Sequence, residues 1–196
     1  MNYHSGAAFR RALEDRLANQ SAMSQTPLVR LRKLVAFDRF LARLVQAEPD
    51  AWLLKGGLVL QLRLSHHART TKDIDLLLLS SQGEVPQILT RVALLDLQDW
   101  FSFAIRPDTV ALPGTGHGGL RFFVTALIAG RTFESFHVDV GIGDPVIEPA
   151  EKLETPRLLA FAGIPPVTVP CYPLTQHLAE KVHAYVRPRA TGEGTR

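Results

Sequence analysis

Asp73-Ile74-Asp75 opens an apolar run, Leu76-Leu77-Leu78-Leu79. On a β-strand alternate residues share a face, so these two carboxylates project together, about 7 Å apart at their Cα atoms. Side by side they repel, and burying either one unpaired is costly. A divalent cation answers both problems, because carboxylates are the hard oxygen ligands that suit Mg²⁺, which also binds substrate phosphates. A bare Asp-x-Asp fits the solvated end of a strand as well, but two further features favour chemistry. Gly56-Gly57 follows the short apolar run Trp52-Leu53-Leu54 and precedes a helical segment. Glycines there let the backbone approach a phosphate, and a helix N-terminus favours an anion. Later, in His137-Val138-Asp139-Val140-Gly141, Asp139 faces away from Val138 and Val140. If that strand lies beside the Ile74–Leu79 strand, Asp139 completes a three-carboxylate cluster. Such a cluster can hold two metals about 4 Å apart.

Other residues have weaker claims. Lys181 lies on a helical segment whose Leu178, Val182 and Tyr185 supply an apolar side. Its compact positive charge suits a phosphate, or equally a surface pair with Glu180. Arg69 suits a phosphate or a strand-end carboxylate. Thr71, two residues before Asp73, places a hydroxyl near a metal or nucleotide, or serves only as a β-favouring residue. At the mouth of a nucleotide site, a phosphate added to Thr71 would compete with an incoming triphosphate. His66, His67, His137 and His183 lack the spacing of a metal site. Cys171 is the single cysteine, so no intrachain disulfide forms, and it reads as a core or loop residue.

The elements that must position these groups are legible in outline. Residues 7–20 predict a short helix on Phe9, Leu13 and Leu17. A second helix is expected from Thr26 as cap and Pro27 at its first position, with an apolar stripe through Leu28, Leu31, Val35 and Leu41 to about residue 47. Glu48-Pro49-Asp50 breaks it. A strand at 52–54, a helix at 58–64, a polar connection at 66–72 and a buried strand at 74–79 follow. A helix is predicted at 85–97 and a strand at 100–105. Pro113 to Gly119 reads as a loop. Strands at 120–128 and 132–142 join through Ala129-Gly130-Arg131, a hairpin signal. Residues 149–170 mix loop and short elements, 174–186 form a last helix, and 190–196 form a mobile tail. This order predicts an α/β (α+β) domain with a mixed sheet flanked by helices.

The composition agrees with such a domain. The 196 residues are 46% apolar and 21% charged, which excludes a disordered chain, a coiled-coil rod and a collagen-like repeat. The first sixteen residues lack a secretory h-region, and no run spans a bilayer, so a cytoplasmic location is expected. The net charge is +3 and the isoelectric point about 9.3, which suits a nucleic-acid partner. Arg30, Arg32, Lys33, Arg39 and Arg43 crowd one helix, and Lys181, Arg187 and Arg189 crowd the C-terminal end. Those groups fit a nucleic-acid surface or a solvated helix face equally.

Gly-Gly, then Asp-x-Asp on an apolar strand, then a single Asp on a later strand resembles the nucleotidyltransferase superfamily typified by DNA polymerase beta. The gap of fifteen residues between Gly57 and Asp73 is somewhat long for it. Four segments together give a narrower match: Lys55-Gly56-Gly57, Arg69 to Asp75, Val138 to Asp144, and Ala179 to Ala184. As a set they resemble the AbiEii/AbiGii toxin family, including its MenT-type members, over about residues 30–190. The resemblance implies a bacterial toxin with a cognate antitoxin, acting by transfer of a nucleotide from a nucleoside triphosphate to an acceptor, the tRNA 3′ end. It implies Mg²⁺ or Mn²⁺ on Asp73, Asp75 and Asp139, with Asp139 also a candidate base. Gly56 and Gly57 would cradle the triphosphate and Lys181 would contact its oxygens, with Lys55, Arg69 and Thr71 completing the nucleotide-binding set. The same fold acting on a protein or small-molecule acceptor, or a non-catalytic binding module, are the alternatives. The expected division is a helical extension at 1–25, a nucleotidyltransferase domain at 26–189 and a tail. The family pattern carries a further acidic helical segment beyond the lysine helix, whereas this sequence ends at Arg196.

Overall fold

The computed structural model describes residues 3–64, 68–79, 85–106, 110–111, 119–143, 145–147 and 149–186. The expected 113–118 loop, the His66–His67 pair, Asp144, Arg187, Arg189 and the 190–196 tail lie outside the described residues. Helix α1 (Gly6–Ser24) starts where the Ser5 hydroxyl accepts from the Ala8 N–H, and it buries Phe9, Leu13 and Leu17. Helix α2 (Leu28–Ala47) follows. Strand β1 (Trp52–Lys55) runs directly into helix α3 (Gly56–Leu64). Then come β2 (Asp73–Leu78), helix α4 (Val85–Leu94), β3 (Phe101–Ile105) and the short β4 (Val110–Ala111). The hairpin β5 (Gly119–Ile128) and β6 (Arg131–Ile142) turns at Ala129-Gly130. Strands β7 (Glu151–Glu154) and β8 (Thr168–Cys171) flank a short 3₁₀ turn, and α5 (Leu174–Val186) closes the described chain.

The strands form one mixed sheet in the order β3-β5-β6-β2-β1-β8-β7, with β4 against β5. Pairing β2 parallel to β6 aligns Asp75 with Asp139. One face carries the helical layer. There Phe37 meets Phe136, Phe40 meets Phe103 and Phe9 meets Phe101, each edge-on with centroids 5.1–5.9 Å apart. The other face carries Lys55 of β1, Asp73 and Asp75 of β2, Arg121 of β5 and Asp139 of β6. Among the described residues, no helix is long and apolar enough to cross a membrane.

Two expectations need correction. Thr26 does not cap α2: Pro27 occupies the cap without a side-chain bond, and the Thr26 carbonyl instead accepts from Ser21. Arg39 and Arg43 line neither a nucleic-acid surface nor a solvated face. Both are buried, and Arg43 is 0% exposed. Arg43 grips Asp99 through two bonds of 2.7 and 3.0 Å and donates to the carbonyls of Arg39, Leu95 and Phe101. Arg39 pairs with Asp38, which also accepts from Thr155. Burial raises the Asp38 pKa despite these partners. A helical-wheel reading assigns charges to solvent by default, and Asp99 lies too far along the chain to announce itself as a partner.

Candidate active site

Register places four charged residues in one row across the sheet. Lys55 on β1 pairs with Asp75 on β2, Asp75 with Asp139 on β6, and Asp139 with Arg121 on β5. Two residues earlier on β2, Asp73 sits beside His137 of β6. Carboxylate oxygens of Asp73, Asp75 and Asp139 all come within 4.8 Å of one another. All three are partly exposed. The expected convergence of the three is therefore met in space.

The cluster is held from several sides. The Thr71 hydroxyl donates to Asp73 Oδ1 at 2.8 Å. The Gly57 N–H points at Asp75 Oδ2, 3.4 Å away. Gly56 has φ +71°, and a side chain there would overlap the Asp75 carboxylate. A Cβ on Gly57 would sit 2.8 Å from the Thr71 hydroxyl. The Gly-Gly pair thus lets the start of α3 press against the acids, and Gly56 in particular leaves no room for a side chain. Burial is the main cause that pushes Asp75 up to about 6, with Asp73 and Asp139 adding to it and the Gly57 N–H and Lys55 opposing it.

On the β1 side, Lys55, Gly56, Gly57, Asp75, His177 and Lys181 line a cavity of about 320 Å³. This brings the lysine of α5 to the glycines, as the sequence motifs anticipate. Leu178, Val182 and Tyr185 do not pack an apolar side beneath it; they are exposed. Glu180 accepts from the Tyr172 hydroxyl. Arg69 is exposed on the loop before β2. Thr71 is not at the mouth of the site but buried, with its hydroxyl committed to Asp73. A phosphate on that oxygen would have to displace Gly57, so modification of the folded protein there is not supported.

Two participants escape a reading of the sequence. Arg121 clasps both oxygens of Asp139, with bonds of 2.7 and 2.6 Å. His177 lies almost wholly buried beside the β1-side cavity, and among the described residues its Nδ1 lacks a partner. Burial, with Lys181, Arg63 and Lys55 adding to it, lowers His177 to about 4, so its imidazole is neutral at pH 7.

A mixed sheet that presents three carboxylates to a Gly-Gly helix start, with a lysine closing from a later helix, defines a nucleotidyltransferase architecture. The family model described as "Nucleotidyl transferase AbiEii toxin, Type IV TA system" matches residues 39–194, and the chain belongs to that family. Among solved structures it is similar to MenT4, a nucleotidyltransferase toxin from Mycobacterium tuberculosis H37Rv. The identity is 20% over 88% of this chain, with a TM-score of 0.61. The chain spans 58% of MenT4's length. It also matches JHP933 from Helicobacter pylori at 14% identity and a TM-score of 0.45, covering 84% of this chain and 60% of that one. No curated protein sequence matches it.

Proposed function

We propose that this chain transfers a nucleotide from a nucleoside triphosphate to the 3′ end of tRNA, and so blocks translation in the cytoplasm until a cognate antitoxin restrains it. The observation that carries this reading is the carboxylate trio within 4.8 Å, set against the N-terminus of α3. Asp73, Asp75 and Asp139 offer the all-oxygen donor set that Mg²⁺ or Mn²⁺ takes. Such an ion, when bound, polarises phosphoryl oxygens and neutralises developing charge. The chain's own residues do the positioning. Lys55, Lys181 and the N–H groups at Gly56 and Gly57 receive the triphosphate tail. The acceptor oxygen attacks the α-phosphorus, the bond to the β-phosphate oxygen breaks, and pyrophosphate leaves. The hydroxyl proton passes to an Asp139 oxygen once Arg121 turns from that carboxylate to the incoming phosphate.

Mass analysis of purified tRNA after incubation with Mg²⁺ and each of the four triphosphates tests the reading. A mass increase of whole nucleotides is the expected result. Pyrophosphate release without any change in the tRNA would instead assign the acceptor to a protein or small molecule. Absence of release with every acceptor would leave a binding module.

Arg121 supplies a separate check of the acid cluster. It occupies both Asp139 oxygens and therefore competes with any cation. Arg121→Gln should tighten Mn²⁺ binding by about tenfold, since one adjacent positive charge at a partly exposed pair accounts for roughly that much. Electron paramagnetic resonance of free Mn²⁺ during titration measures this. Unchanged or weaker binding would mean that Asp139 is not a ligand.

A further inference from the structure

On the side of the acids away from Lys181, a second hollow of about 460 Å³ opens beside the start of β2, walled by α2, β5, β6 and the segment that leads into β2. Among the described residues, three cations, Lys33, Lys72 and Arg106, line it with Phe123 and His137, and no carboxylate does. The rings of Phe123 and His137 meet edge to face, 4.8 Å between centroids. The Arg106 guanidinium lies over Phe123, 3.9 Å from the ring centre. Lys33 is anchored by Glu134 and the Ser135 carbonyl, while Lys72 and Arg106 are exposed. His137 is the register neighbour of Asp73, and Phe123 of His137. A group resting on Phe123 is therefore two strand spacings, about 10 Å, from Asp73.

We infer that this groove binds the unpaired 3′ end of the acceptor RNA. A base stacks on the Arg106–Phe123 platform, and backbone phosphates are held by Lys72 and Lys33. The inference rests on the transferase reading for its substrate class, and the hollow itself supplies the location. Aromatic rings interleaved with cations are the means by which single-stranded nucleic acid is held, because every base offers a π-face. An acidic peptide would use the cations but has no need of the stacked ring. The carboxylates lie between this groove and the cavity of Gly56, Gly57 and Lys181. A 3′-hydroxyl arriving from one side and a pyrophosphate departing on the other is the geometry that in-line displacement requires.

The test is fluorescence anisotropy of a short 5′-labelled single-stranded RNA with a free 3′-hydroxyl. It is applied to the full chain and to the variants Arg106→Gln and Phe123→Leu, with Mg²⁺–triphosphate affinity measured in parallel by calorimetry. Each variant should weaken RNA binding by about tenfold, the loss expected of one stacked base or one cation, and leave triphosphate affinity within about twofold. Arg106 is exposed, so its variant remains informative if Phe123→Leu is unstable. Unchanged RNA affinity in Arg106→Gln overturns the inference, as does wild-type protein that binds no RNA. Equal affinity for a duplex of the same sequence also overturns it, since paired bases cannot stack. So does polyglutamate that displaces RNA while Phe123→Leu binds normally, which would mark a peptide site. RNA binding that behaves as expected without nucleotide addition would sink the transferase reading and leave the groove standing.

Discussion

Asp75→Asn is expected to abolish nucleotide transfer and, at neutral pH, to raise the melting temperature. The first effect follows from position. Asp75 lies between Asp73 and Asp139, beneath the Gly57 N–H, and a neutral amide oxygen is a poorer ligand of nearly the same size. Loss of at least about 10³-fold is the scale for removing a central charge-handling group. The second effect follows from the carboxyl pKa, which burial raises from 3.8 to about 6. Between those values the folded state binds the proton more tightly than the unfolded chain does. Stability therefore falls as pH rises from about 4 through 6, and at pH 7 the folded wild type carries the full penalty. Partial exposure reduces it to about 1–2 kcal/mol, or several degrees in melting temperature for a chain of this length. Calorimetric scans at pH 5 and pH 7 measure it: the gap between variant and wild type should widen with pH. Mn²⁺ should stabilise the wild type and not the variant. Near-normal transfer by Asp75→Asn would overturn the role of the cluster, and a lower melting temperature at pH 7 would contradict the burial that raises this pKa.

The trio was legible in the sequence because strand arithmetic is local. Asp73 and Asp75 share a face whatever the sheet, and Asp139 is set off from its apolar neighbours by the same rule. The α/β order, the β5–β6 hairpin and the glycine turn before α3 follow from equally short-range signals. Arg121 shows where that reading stops. A register carried straight from the Ala129-Gly130 turn, which pairs Ile128 with Arg131 and Leu127 with Thr132, would put Arg121 opposite Val138 and on the wrong face. The register shifts between Ala126 and Leu127 because Phe133 is an extra residue on β6, and Arg121 then meets Asp139. Nothing in the sequence near Phe133 advertises a bulge. Strand β8 was hidden differently. Pro170 argues against a strand, yet β8 needs only the Leu54–Cys171 pairing and the Tyr172 N–H bond to the Leu54 carbonyl to lie beside β1. His177 was a plain helix residue until α5 folded over the site.

The largest expected effect on stability lies away from the acids, at Arg43. Arg43→Met removes a guanidinium whose nitrogens are satisfied by Asp99 and three backbone carbonyls, and which rests over the Phe103 ring at 4.9 Å. The methionine fills part of the volume, but it leaves Asp99, 3% exposed, without its main partner. Arg39 Nη1 stands 3.6 Å from Asp99 and compensates little. Breaking one half of a buried pair costs about 3–5 kcal/mol, most of it the stranded charge. Urea denaturation should show a lower midpoint at an unchanged slope. The decisive comparison is Arg43→Met with Asp99→Leu. Replacing both partners removes the stranded charge, so the double variant should recover much of the loss, although the backbone carbonyls of Leu95 and Phe101 and the Phe101 N–H, which Asp99 accepts at 3.1 Å, still lose their bonds. Equal losses in single and double variants would mean that the carbonyl contacts, not the ion pair, hold α2 to the start of β3. Either outcome bears on the site, because β3 pairs with β5, and β5 carries Arg121 and Phe123 to the face where the acids lie.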